Sequence, residues 1–125
     1  MNNKNSKIQE IAKLAEIKKE ISKLNSSFKD MEPKLKKCAQ SLIQNAAYMA
    51  VTLRELQDYL NINGLVCEYQ NGENQWGTKK APEVEIYNTM IKNFISAMKA
   101  LTDLLPKESA QKLIDDGFED FINRK

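Results

Sequence analysis

The sequence predicts a mainly all-α fold. A long antiparallel helical hairpin carries a short β-ribbon between helices two and three, with an N-terminal and a C-terminal helix added. Three observations carry this expectation. Apolar residues recur at steps of three and four over long runs, which is the period of a helix face. Glycines and prolines number only four and three, too few to interrupt those runs often. Between two of the runs, Asn71-Gly72 is flanked by residues that alternate apolar and polar, the pattern of a hairpin turn.

At 125 residues, 42% hydrophobic and 29% charged, the chain fits one soluble domain. Its segments read as a basic N-terminal helix over 1–32, an oligomerisation core over 33–106 and an acidic C-terminal helix or tail over 107–125. Met1 to Ser6 is polar and is expected to fray. The first helix is expected from Lys7, with Ile8, Ile11, Leu14, Ile17, Ile21, Leu24 and Phe28 as one apolar stripe. Pro33 ends or restarts it. The second helix then runs to about Asn61 on a seam of Leu35, Ala39, Leu42, Ala46, Met49, Leu53, Leu56 and Leu60. Gly64 stands where a helix-terminating glycine belongs.

The ribbon is expected over about 62–81. A two-residue turn at Asn71-Gly72 would set Gln70 opposite Glu73, Tyr69 opposite Asn74 and Cys67 opposite Trp76, gathering Leu65, Cys67, Tyr69 and Trp76 on one greasy side. Because a lone two-stranded hairpin is marginal in water, that side should lean on helices or on another subunit. Pro82 suits the first position of the third helix, whose early turns carry Glu83 and Glu85. Val84, Tyr87, Ile91, Phe94, Met98, Leu101 and Leu105 form its seam, and Pro106 ends it. Helices two and three should therefore pack as an antiparallel pair. The last helix is expected from Lys107 to Arg124, weakened by Gly117, with Phe118 and Phe121 beside acids as a candidate docking segment or as caps on the core.

Composition excludes several chemistries. The chain has no histidine, so neither a recognised zinc spacing nor a Ser-His or Cys-His nucleophile can be assembled. No cofactor, no metal and no catalytic residues are expected, and the protein reads as a non-enzyme. Gly72 to Gly77 has the spacing of a phosphate loop, but Thr78-Lys79 follow in the wrong order and no buried strand precedes it. Cys38 and Cys67 fall on expected core faces and read as reduced thiols of a cytoplasmic protein.

Net charge is +2, unevenly spread. Residues 1–40 hold ten lysines against five acids, whereas Asp115, Asp116, Glu119 and Asp120 make the tail acidic. Such polarity suits an acidic partner at one end and a protein partner at the other, and it also occurs on plain solvated helices. Lys13, Lys18, Lys19, Lys36, Lys37, Lys79 and Lys80 are the candidates for contact with DNA phosphates. Between Lys37 and Arg54 there is no charge at all. That run is too short and too polar to cross a membrane. Its Ser41, Gln44, Tyr48 and Thr52 make an uncharged polar stripe of the kind found in subunit interfaces, or of a helix sandwiched inside the monomer. Together with Trp76 they are the candidate homo-oligomer interface.

One order of residues adds a further reading. Tyr59-Leu60, Ile62-Asn63-Gly64-Leu65-Val66, Asn71-Gly72, Lys79-Lys80-Ala81-Pro82-Glu83-Val84 and Leu101-Thr102-Asp103-Leu104-Leu105-Pro106 together resemble a family of phage terminase small subunits. The resemblance covers roughly 48–110 and departs at Leu104-Leu105-Pro106, where members commonly show Leu-Gly-Leu-Thr-Pro. It implies a non-enzymatic packaging factor in the host cytoplasm that forms a ring and binds double-stranded viral DNA. It also implies delivery of that DNA to the large terminase subunit, which owns the ATPase and nuclease. The rival reading is a helical adaptor that binds only protein, through a coiled coil of its N-terminal helix.

Overall fold

The computed structural model describes the backbone of residues 3–123 and the side chains of residues 3–116. It contains α1 (Asn3–Ser26), α2 (Pro33–Asn63), β1 (Val66–Gln70), β2 (Trp76–Lys80), α3 (Pro82–Asp103) and α4 (Lys107–Asn123). The fold is mainly helical, with an antiparallel hairpin between helices two and three. Met1, Asn2, Arg124 and Lys125 lie outside the described residues. The first helix begins at Asn3, ahead of the start expected at Lys7.

Local chemistry sets the element ends. Past α1 the chain tightens into turns, with the Phe28 N–H donating to the Asn25 carbonyl at 3.0 Å and the Met31 N–H to the Phe28 carbonyl at 3.1 Å. Pro33 then opens α2, where its missing N–H forfeits no helical bond. Over 31 residues α2 reaches about 46 Å. Gly64 ends it at φ 82°, a left-handed backbone that glycine adopts without a Cβ penalty. Its N–H returns to the Leu60 carbonyl at 2.8 Å.

Helix α2 is the centre of the molecule, packed against both α1 and α3, while α4 closes on the end of α3. Its rows can be assigned. Val51 lines the groove beside α1, and Ile43 and Ala47 precede it at four-residue steps. On the other side Gln57 donates to the Tyr87 hydroxyl of α3 at 3.1 Å, in the row that runs back through Leu53 and Ala46. The main core joins Leu24 and Phe28, then Ala39, Ile43, Ala46 and Ala47, and finally Leu101, Leu105 and Leu113. It therefore sits where the end of α1, the first half of α2, the end of α3 and α4 meet. The α3 seam holds as read: every one of its seven residues is at least partly buried.

Three expectations are corrected. The α1 stripe does not stay on one face, for Ile8, Ile11 and Leu14 are 60%, 65% and 51% exposed. Each three-residue step falls about 60° short of a full turn. The sequence Ile17, Leu14, Ile11, Ile8 consequently walks around the helix until Ile8 points away from α2. Cys38 is exposed instead of lying on a core face, and Cys67 is half-buried; both are free thiols.

The ribbon register is the third. Gln70 pairs with Trp76, Tyr69 with Gly77 and Cys67 with Lys79, three residues from the expected pairing. Asn71 keeps a negative φ and only Gly72, at 105°, is positive, so the two-residue turn, which needs both, does not form. A five-residue loop closes instead, with the Asn71 N–H on the Gln75 carbonyl at 2.7 Å and the Gln70 amide on the Glu73 carbonyl at 3.1 Å. An odd offset swaps faces. Trp76 thus shares a side with Val66 and Gln70, while Cys67 and Tyr69 share the other with Gly77 and Lys79. The ribbon touches the helices sparsely and is pinned at its base, where the Ala81 N–H donates to the Leu65 carbonyl at 2.9 Å.

Candidate assembly and nucleic-acid surfaces

Three residues of the uncharged stripe on α2 face solvent and one faces inward. Ser41 and Gln44 are exposed, and Tyr48 is 50% exposed. Thr52 faces inward, its Oγ1 shut from solvent and without a hydrogen-bond partner. Tyr48 is held from one side by Lys13 of α1, whose ammonium lies 4.7 Å from the ring centre. On its other side the ring borders a groove between α2 and α3, about 430 Å³, lined by Tyr48, Met49, Glu85, Ile86, Thr89, Met90 and Asn93. Glu85 is its one charged residue. Trp76, 67% exposed, stands at the far end of the ribbon and does not join this patch.

The seven candidate lysines do not form one patch. Lys36 and Lys37 stand at the start of α2, Lys13 lies against Tyr48 and Glu55 beside its middle and later turns, and Lys79 and Lys80 belong to the ribbon beyond its other end, about 40 Å from Lys36 along the axis. Several are already engaged. Lys13 pairs with Glu55 at 2.7 Å, Lys19 meets Glu16 at 3.5 Å, and Lys80 pairs with Glu85. Lys79 lies 5.8 Å from the Tyr69 ring. The first turn of α2, by contrast, carries Lys34 and Lys36 with no acid, with Lys37 next to it and one carboxylate, Glu32, at the N-cap. The excess of cations adds to the positive end of the helix dipole.

Beside α1, a second groove of about 570 Å³ is lined by Gln9, Ala12, Lys13, Glu16, Val51, Arg54, Glu55 and Asp58. Its two cations are both engaged, Lys13 by Glu55 and Arg54 by Glu20, which stands outside the lining. The side chains of Phe118 and Phe121 lie outside the described residues. Among the described residues no three His, Cys, Asp or Glu converge on a metal-sized site, and no helix is long and apolar enough to cross a membrane.

Sequence reasoning missed the α2/α3 groove. The signal was Ile86 and Met90, an i,i+4 pair off the α3 seam, which broadens the apolar face of that helix. Helical spacing does place Lys19 beside Glu16, as found, but it cannot place Lys13 beside Glu55, which lies far from it in the chain.

One ion pair gives a pH-dependent expectation. The Lys80 amine donates to the Glu85 carboxylate and its charge adds to the effect, holding the Glu85 pKa below its ordinary value. A lowered carboxylate pKa contributes stability at neutral pH that is lost as pH falls through the folded-state value. Acidification through the glutamate range should therefore release the ribbon base from α3. An NMR titration of Glu85 is expected to show a midpoint below that of an exposed glutamate, moving up in Lys80→Met. Equal midpoints in the two proteins would refute the clip.

Comparison with protein families, curated proteins and solved structures finds no match for this chain.

Proposed function

We propose that the protein is a non-enzymatic phage DNA-packaging factor, a terminase small subunit, that assembles into a ring, binds viral duplex DNA and presents it to the large terminase subunit. The observation that carries the reading is uncovered surface. The chain exposes 9488 Å², against about 6,800 Å² for a compact monomer of this mass. Fourteen large apolar side chains are exposed among the described residues. A protomer of this kind is completed by copies of itself. The order of helix, Gly64 turn, ribbon and Pro82-led helix, on which the resemblance rests, supports the same role, and the basic start of α2 supports a polyanionic partner.

Native mass measured with and without duplex DNA, at two salt concentrations, tests this. A closed ring of many copies is expected. Its DNA affinity should fall on the order of 10³-fold between 50 and 200 mM salt if six or more phosphates are neutralised. Lys36→Glu with Lys37→Glu should weaken binding to every sequence alike, as loss of phosphate contacts does. Salt-independent binding, or none, would overturn the DNA role.

A second reading, a helical adaptor that binds only protein, is favoured by one observation: Lys13 and Lys80 are tied in ion pairs while the apolar surface remains open. A monomer or dimer with no retention on DNA would select it.

A further inference from the structure

Two uncovered apolar features lie on opposite flanks of one protomer. The first is the row that walks off α1, Ile8, Ile11 and Leu14. The second is the α2/α3 groove, with Met49, Ile86 and Met90 in its walls. Tyr48 fixes their relation, because it borders the groove and lies against Lys13, so the groove opens on the Lys13 flank of α1. Ile11 is two residues from Lys13, a rotation of about 200°, and therefore sits on the other flank.

We infer that the Ile8–Ile11–Leu14 row of one copy seats in the α2/α3 groove of the next, in a head-to-tail contact. This rests on the self-assembly proposed above and specifies its surfaces. Area argues for a second copy as the occupant. The excess over a compact monomer is about 2,700 Å², and a standard interface takes about 800 Å² from each partner. A head-to-tail subunit uses two such faces, about 1,600 Å² in all, and the excess accommodates both. Charge agrees. Lys7 falls between Leu14 and Ile11 around the helix, and the groove's only charge is Glu85, kept ionised by Lys80. Because the two faces differ, the contact is heterologous and propagates to a ring or a filament instead of stopping at a dimer.

The experiment uses the full chain and two variants, Ile11→Asp on the row and Ile86→Asp in the groove. Both residues are exposed, so helix content by circular dichroism should match the wild type, and melting should match once all three are dilute enough to be monomeric, since assembly raises it by mass action. Each variant alone is expected to run as a monomer, its self-association weakened about tenfold or more. Mixed in equal amounts they should form a dimer of twice the 14.3 kDa chain mass, because one intact row meets one intact groove. A two-fold symmetric interface gives no such rescue. If the wild type assembles and either variant assembles equally, or the mixture stays monomeric, these faces are wrong while self-assembly stands. A monomeric wild type overturns both.

Discussion

Phe28→Ala should lower the unfolding free energy by about 3–5 kcal/mol, measured as a shift of the urea midpoint at unchanged slope. Phe28 is 1% exposed and among the largest fully buried side chains, with Ile43 and Leu101. It stands just beyond α1 in the turn that leads to α2, and it belongs to the cluster that joins all four helices. Truncation removes the apolar transfer energy of the ring and leaves a cavity that the flanking helices can close only in part. A domain of ordinary stability holds about 5–15 kcal/mol, so this one change takes a large share. Ile8→Ala, on α1 itself and exposed, is the contrast, expected within about 0.5 kcal/mol for the monomeric chain. A Phe28→Ala effect below about 1.5 kcal/mol would mean that the α1–α2 corner is not part of the cooperative core.

Ala47→Leu is expected to destabilise by about 1–3 kcal/mol through overpacking. Ala39, Ala46 and Ala47 have no exposed surface, and neighbouring helices stand 8–10 Å apart according to the side chains between them. Ala46 and Ala47 are one residue apart, about 100° around the helix, so one row meets α3 and the other α1. Leucine at 47 pushes α1 outward while leaving the α2–α3 pair in place. Limited proteolysis should then cut α1 first, before global unfolding. Cleavage spread evenly over the chain would show that the two layers are not separable.

These expectations indicate what a sequence carries and where it stops. The α3 seam was legible because its steps alternate three and four, which keeps a row on one face, and the α2–α3 pairing followed from it. The N-terminal half of α1 was misread because residue type was counted without the rotation that three consecutive three-residue steps accumulate. The ribbon was legible as a ribbon, but its register was not. That is set by a loop bond from Asn71 to Gln75 and by the Gln70 amide on Glu73, local choices that the Asn-Gly dipeptide does not dictate. The Tyr69 ring also lies across Gly77, where an added Cβ would meet it at 3.0 Å. Of the candidate lysines, charge counting could not show that Lys13 is tied to Glu55. The groove, made by two helices distant in sequence, appears only once they are packed.

The principal helix contacts run between chain neighbours, α1 with α2, α2 with α3 and α3 with α4. Closing them requires only short detours of the chain, and proteins wired this way reach their native state quickly, in the microsecond to millisecond range. Emerging from the ribosome, the first two helices can zip together before the third is synthesised, so the apolar row of α2 that faces α1 spends little time bare.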